Sequence, residues 1–141
     1  MQGLDEMQRK LKQLPKDVAT VGVRDSLLVS ADLFVEDAAA RVVVRRGDLR
    51  RSIRRFTTRH DKRNGFVRVW AGPDYKRGGN AAHLVEFGHR IVGPKPNKTD
   101  TGKRARAFPF MRPAWDAKRM AALRAVRADL SRFIISRAGR T

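Results

Sequence analysis

Cysteine is absent from this chain of 141 residues, so neither a disulfide nor a thiolate-bound zinc can support its fold. Long apolar runs are missing too. No uninterrupted stretch approaches the roughly 18 residues that a membrane span requires, so no contact with a membrane is expected. Met1 leads into a charged amphipathic stretch, Leu4–Leu14, rather than a basic start and an apolar core, so no secretory signal is expected either. Histidine occurs only three times, with no evident nucleophile beside it, and an acyl-transfer triad would need scattered residues. After residue 40 the carboxylates Asp48, Asp61, Asp74, Glu86, Asp100, Asp116 and Asp129 stand singly, which disfavours a two-metal nuclease. The expectation is a protein with no catalytic residues, cofactor or metal.

Acidic residues are scarce, 14 against 32 lysines and arginines, for a net charge of +18. The imbalance is uneven along the chain. Residues 1–40 hold 5 basic and 7 acidic groups, whereas residues 41–63 hold 10 and 2, and residues 103–141 hold 11 and 2. Such asymmetry points to a basic face that meets a polyanion or an acidic protein. Arg50, Arg51, Arg54 and Arg55 are the candidate DNA-facing residues, in an arginine run from Arg41 to Arg63. That gives the alternative function, a basic nucleic-acid-binding protein. Charge alone is blind to base sequence, however, and no helix-turn-helix, zinc-finger or RNA-binding strand motif accompanies it. The nearby aromatics Phe56, Phe66 and Trp70 fall where a core needs them.

The chain length suits one domain, 1–141. Leu4, Met7, Leu11 and Leu14 predict a short helix over Gly3–Leu14, ended by Pro15. Val18, Val21, Leu28, Ala31, Val35, Ala38 and Val42 predict a long helix after it, with Gly22 marking a bend or a close packing contact. Gly47 supplies a permissive turn. Ser52–Arg59 and Phe66–Ala71 read as strands around a hairpin turn at Asn64-Gly65, and the second strand is expected to be central or covered on both faces. Ala81–Phe87 is a short helix or a buried strand. Helix is favoured because Leu84 and Phe87 would share a face with Ala81 or Ala82, and Gly88 would stop it. Phe108 opens a final helix with Trp115, Leu123, Val126, Leu130, Phe133 and Ile134 broadly on one face. The fold class is α+β: a long N-terminal helix and a C-terminal helix packed on a small antiparallel sheet with a β-hairpin.

Three local matches fail on spacing or setting. His83, Glu86 and His89 are three and three apart, so the histidines do not share a helix face as an i, i+4 metal pair does. Glu86 reads better as a structural acid that caps a backbone amide or anchors a subunit contact. Thr101-Gly102-Lys103-Arg104 has no glycine five positions before Gly102, and Arg104 replaces the metal-binding hydroxyl of a phosphate loop. Arg46-Gly47-Asp48 and Asn97-Lys98-Thr99 match extracellular motifs in a chain with no extracellular mark.

Two segments remain: Ala82-His83-Leu84-Val85-Glu86-Phe87-Gly88, and Phe108-Pro109-Phe110-Met111-Arg112-Pro113-Ala114-Trp115. They pin a polar Gly/Pro/Lys-rich connection, 91–107, expected to be flexible, while 136–141 is expected to fray. With Gly47-x-Leu49-x-x-Ser52-Ile53 before them, these segments resemble the gene-product-ten-like family of long-tailed double-stranded-DNA phages. The likeness covers roughly residues 4–135. It departs from the family pattern at Arg46, where a small hydroxyl residue is usual, and at His89, where threonine is frequent. The resemblance implies a non-enzymatic virion protein of tail completion and head–tail joining, made in the host cytoplasm and assembled as a homo-oligomeric ring at the neck. Its implied partners are the tail terminator, tail tube or connector, with packaged DNA as a further contact. Glu86, His89, Arg90, Lys95, Lys98, Lys103 and Arg104 are the candidate partner-binding residues.

Overall fold

The computed structural model describes Asp5, Glu6, Gln8, Arg9, Lys12 and residues 16–57, 67–96 and 98–138. The five early residues are helical, in agreement with the Gly3–Leu14 expectation; the rest of that segment lies outside the described residues. The elements that follow are helix α1 (Lys16–Arg41), short helix α2 (Asp48–Ser52), and strands β1 (Ile53–Thr57) and β2 (Val69–Pro73). Two 3-10 turns, Tyr75–Arg77 and Gly79–Ala81, lead to helix α3 (Ala82–Phe87). Strands β3 (His89–Val92) and β4 (Asp100–Ala105) precede the closing helix α4 (Met111–Ala138). The strands form two separate two-stranded antiparallel sheets, β1–β2 and β3–β4. The class is α+β, with the long helices near the two ends of the chain.

The chain divides into two compact units: Met1–Leu33 with Arg55–Ala71 and Lys118–Thr141, and Phe34–Arg54 with Gly72–Ala117. In the first, α1 presents a row of small residues, Gly22, Ser26 and Ser30, spaced by four and buried. Each serine hydroxyl donates back along the helix at 2.9 Å, Ser26 to the Gly22 carbonyl and Ser30 to the Ser26 carbonyl. The buried oxygens are thereby satisfied without a partner from another element. Phe133 fills the space over Gly22: a Cβ there would lie 2.3 Å from its ring. Close packing, one of the two outcomes expected at Gly22, is what occurs. Ala122, Leu130 and Ile134 are the buried residues of α4 in this unit. Arg55 donates to the Leu28 carbonyl at 2.7 Å and pairs with Asp32.

The second unit holds a core of Ala38, Val42, Ile53, Ala82, Phe110 and Ala114, flanked by Val35, Leu49, Val85 and Met111. Phe34 stacks on Trp115, ring centroids 5.1 Å apart. Asp37 and Arg41 pair one helical turn apart, and the Asp37 hydrogen bond is the main cause that raises the Arg41 guanidinium pKa above its ordinary value. Gly47 turns the chain at φ 81°. Ser52 is wholly buried: its hydroxyl donates to the Leu49 carbonyl at 2.6 Å and its carbonyl accepts from the Asp74 amide at 2.9 Å.

Several sequence expectations change. The segment after Gly47 first forms the single turn α2, so the strand begins at Ile53 and not at Ser52. The returning strand starts at Val69 and runs through Pro73, later than the Phe66–Ala71 expectation; the Asn64-Gly65 turn and Phe66 lie outside the described residues. That strand is not central. Among the described residues it belongs to a two-stranded sheet, which leaves Trp70 50% exposed and Phe56 exposed as well. On α4, Leu130 and Ile134 are buried and Val126 and Phe133 half-buried, as expected, whereas Trp115 and Leu123 are exposed and Ala114 and Ala122 are the buried positions beside them. Helix α4 runs through Ala138, and the rest of the 136–141 segment lies outside the described residues.

Candidate functional site

Helix α3 is six residues long and buries only Ala82 and Glu86, one turn apart. Glu86 is 8% exposed and aims its carboxylate at the start of α4. Its Oε2 accepts from the Phe110 amide at 2.7 Å and the Met111 amide at 3.0 Å, and its Oε1 accepts from the Arg112 amide at 3.1 Å. A helix leaves its first backbone N–H groups without intrahelical acceptors and concentrates positive partial charge there. Here the accounting closes. Glu86 takes three of these donors, Pro113 has no N–H to satisfy, and the Ala114 amide is the first to turn back into the helix, donating to the Phe110 carbonyl at 3.3 Å. The Pro-Phe-Met-Arg-Pro-Ala run and the distant Glu86 are two halves of one cap.

Two further contacts tighten it. The Phe108 amide donates to the Val85 carbonyl at 2.8 Å. Gly88 leaves α3 at φ 69°, ψ 170°, and a Cβ there would lie 2.6 Å from the Ala105 carbonyl oxygen. Only glycine combines that conformation with that approach. Residues 85–88 and 105–112 are therefore fastened together, and everything between them leaves and returns through one closed base.

What leaves is a ribbon. The segment expected as a polar connection contains the β3–β4 pair, with His89 opposite Ala105, Arg90 opposite Arg104 and Val92 opposite Asp100. The register shifts between Arg90 and Val92, and Gly102 at φ 69° accommodates the extra residues on β4. Asp100 accepts from the Gly102 amide at 2.9 Å and pairs with Arg90 at 2.8 Å, while Thr101 donates its hydroxyl to the Ile91 carbonyl. Nearer the tip the Gly93 amide donates to the Thr99 carbonyl at 2.8 Å. Both strands are exposed along their length, apart from half-buried Ala105.

Of the seven partner-binding candidates, His89, Arg90, Lys95, Lys98, Lys103 and Arg104 all fall on this excursion and are exposed. Glu86 is separated from them by burial, with both carboxylate oxygens committed to amides. The middle member of the His83–Glu86–His89 set thus holds a helix end. The four candidate DNA-facing arginines are largely occupied within the chain: Arg51 pairs with Asp48 at 2.6 Å, Arg54 approaches Asp74 at 3.6 Å, and Arg55 pairs with Asp32. Arg50 is exposed on α2.

Sequence reasoning missed a groove beside the clamp. An open, mainly apolar cavity of about 420 Å³ is lined by Tyr75, His83, Phe87, Phe110, Met111 and Arg112, among others. Tyr75 is 67% and Phe87 74% exposed. Leu84 and Phe87 are exposed together with Ala81, one of the two partners expected for them, while Ala82 and Glu86 form the buried side of α3. A six-residue helix offers too few turns for periodicity to fix its inner face. The signal available was Glu86 itself, one turn from Ala82.

Among the described residues no helix is long and apolar enough to cross a membrane. Comparison with curated proteins and with solved structures yields no match. A family model described as "Bacteriophage HK97-gp10, putative tail-component" matches residues 5–88. That span is more than half of the chain and runs from the first helical residues to the glycine that ends α3. The chain therefore belongs to the HK97-gp10-like family of bacteriophage tail components.

Proposed function

We propose that this tail component completes the tail and joins it to the head. In this reading it folds as one domain and assembles in the host cytoplasm as a homo-oligomeric ring at the virion neck. It docks on tail-terminator, tail-tube or connector proteins through the β3–β4 ribbon, with packaged DNA passing through the ring. The observation that carries the reading is the ribbon itself, exposed on both strands and fastened at its base by the Glu86 cap. A rigid base with an exposed polar excursion is a suitable device for gripping a neighbour during assembly. His89, Arg90, Lys95, Lys98, Lys103 and Arg104 are the proposed contacts, and Glu86 serves them from beneath by fixing where the ribbon emerges. A head-to-tail contact between copies, repeated by rotation, closes into a ring.

The test is a phage that lacks this chain. Tails made without it should fail to join filled heads in negative-stain images, and added purified protein should restore joining. Light scattering of the purified protein should give a multimer mass. Normal, head-competent tails in its absence would overturn the proposal. Loss of a DNA-bound step with tails intact would favour the nucleic-acid alternative.

A further inference from the structure

We infer that the β3–β4 ribbon docks on an acidic surface with an apolar centre on a different protein chain, and not on a second copy of this one. The inference rests on the docking role proposed above and adds the chemistry of the partner.

The charge of the ribbon gives the first reason. Arg90, Lys95, Lys98, Lys103, Arg104 and Arg106 stand against one carboxylate, Asp100, which already faces Arg90 at 2.8 Å. Arg90 and Arg104 lie directly opposite each other across the two strands. Like charges in that position repel, and an anionic partner relieves the repulsion. A two-stranded ribbon without a covered face is marginal in water, so the ribbon gains most from a surface that both neutralises and covers it.

A second copy is poorly made for that role. Most of its described carboxylates are already engaged: Asp25, Asp32, Asp37, Asp48, Asp74 and Asp129 each face an arginine of their own chain, which leaves few, such as exposed Glu36 and Asp116, for a ribbon cation. Glu86 is spent on the α4 amides. A ribbon lysine or arginine that took one of the paired carboxylates would displace a cation already in place, an exchange with little net gain. The net charge of +18 on every copy also opposes self-docking through a basic element. Contacts within a ring must use other faces.

Ile91 and Val92 favour protein over nucleic acid. Both are exposed on β3, and Phe87 and Phe108 are exposed where the ribbon emerges. Apolar side chains gain from an apolar partner surface and nothing from phosphate. Asp100, still partly exposed, would meet a phosphate backbone with the wrong sign.

The test uses tails assembled without this chain as the probe, with the purified protein and its Lys103→Glu/Arg104→Glu variant. The Arg104 change places opposite charges across the strands, so the ribbon itself is not put at risk. The variant should bind these tails at least about tenfold more weakly, with an unchanged oligomeric mass by light scattering and a much smaller loss of binding to short duplex DNA. In assembled particles a zero-length carbodiimide should join Lys95, Lys98 or Lys103 to an aspartate or glutamate of another virion protein, identified by mass spectrometry. Equal tail binding by variant and wild type overturns the inference, as does a carbodiimide product that links only copies of this chain. A variant that loses its own assembly identifies a second copy as the occupant. One that loses duplex binding while keeping tails identifies nucleic acid. A wild-type protein that fails to bind the tails at all sinks the tail-completion reading, and the inference with it.

Discussion

Replacing Glu86 with alanine removes three acceptors at once, and the three amides it leaves are not equivalent. Phe110 is wholly buried, so its N–H cannot turn to water, and an orphaned buried donor costs about 1–3 kcal/mol. Met111 is half-buried and contributes about 1 kcal/mol on the same scale. Arg112 is exposed, and water replaces its lost acceptor. Removing the negative charge from the positive end of α4 adds about 0.3–1 kcal/mol. The sum for Glu86→Ala is about 2–5 kcal/mol, or a melting temperature lower by about 7–15 °C for a chain of this size. Glu86→Gln keeps one carbonyl oxygen but turns its amino group toward N–H donors, so it should lose about half of that. Calorimetry and urea titration measure the totals, and amide exchange at Phe110 and Met111 assigns them to the cap. An alanine variant within about 0.5 kcal/mol of wild type would refute the reasoning. So would a destabilised variant whose Phe110 and Met111 amides stay protected.

Three more outcomes follow from the same geometry. Phe110→Ala empties the centre of the second unit's core and should cost about 3–5 kcal/mol by urea titration; an unchanged midpoint would contradict its complete burial. Gly22→Ala should destabilise by about 1 kcal/mol, because displacing the Phe133 ring outweighs the gain in helix propensity. In a Phe133→Leu background, where the ring is gone, the same change should become neutral or stabilising. The ribbon amides from Arg90 to Ala105 should exchange rapidly in the free subunit and slowly in assembled tails, since neither strand has a covered face of its own. Equal protection in the two states counts against docking through the ribbon.

The long helices, the Gly47 turn and the short helix before Gly88 were legible because each has a local signature: 3.6-residue periodicity, or a glycine where the backbone needs positive φ. The ribbon was not legible. Strand patterns are recognised by alternation between a core face and a solvent face, and β3 and β4 have no core face. Their residues read as loop because composition alone was available. Phe56 and Trp70 were misplaced for a related reason. Alternating apolar residues suggest a strand covered on both sides, but a two-stranded sheet has no neighbour to supply the second cover. On α4 the expected face is right at Leu130 and Ile134; its first half misses because the buried positions there are the small Ala114 and Ala122, beside the bulkier Trp115 and Leu123. The role of Glu86 was half visible. A structural acid able to cap an amide was expected, but N-cap signals are sought within a few residues of a helix start. Here the cap comes from 24 residues upstream, and Pro113 is the sole local hint that the first turn had dispensed with a donor.

The distance of that cap has a physical consequence for how the ribbon works. A serine or aspartate placed at the start of α4 would satisfy fewer of these amides and leave the base of the ribbon free. With Glu86 as the cap, ordering the first turn of α4 and closing the ribbon's base are one event, reinforced by the Phe108–Val85 hydrogen bond and the Gly88–Ala105 approach. The entropy of closing this loop is met once, within the stable core, and rises only slowly with the length enclosed. The ribbon beyond the base can then exchange between conformations without loosening α4, and a partner that orders it need not rebuild its anchor. In the docking role proposed above, fixing the emergence point lowers the cost for any occupant, whereas selectivity among occupants would come from Arg90, Lys103 and Arg104 and from exposed Ile91 and Val92. Substitutions at the base and on the ribbon should therefore fail differently. Base changes lower stability and docking together, while ribbon changes lower docking and leave the melting transition where it was.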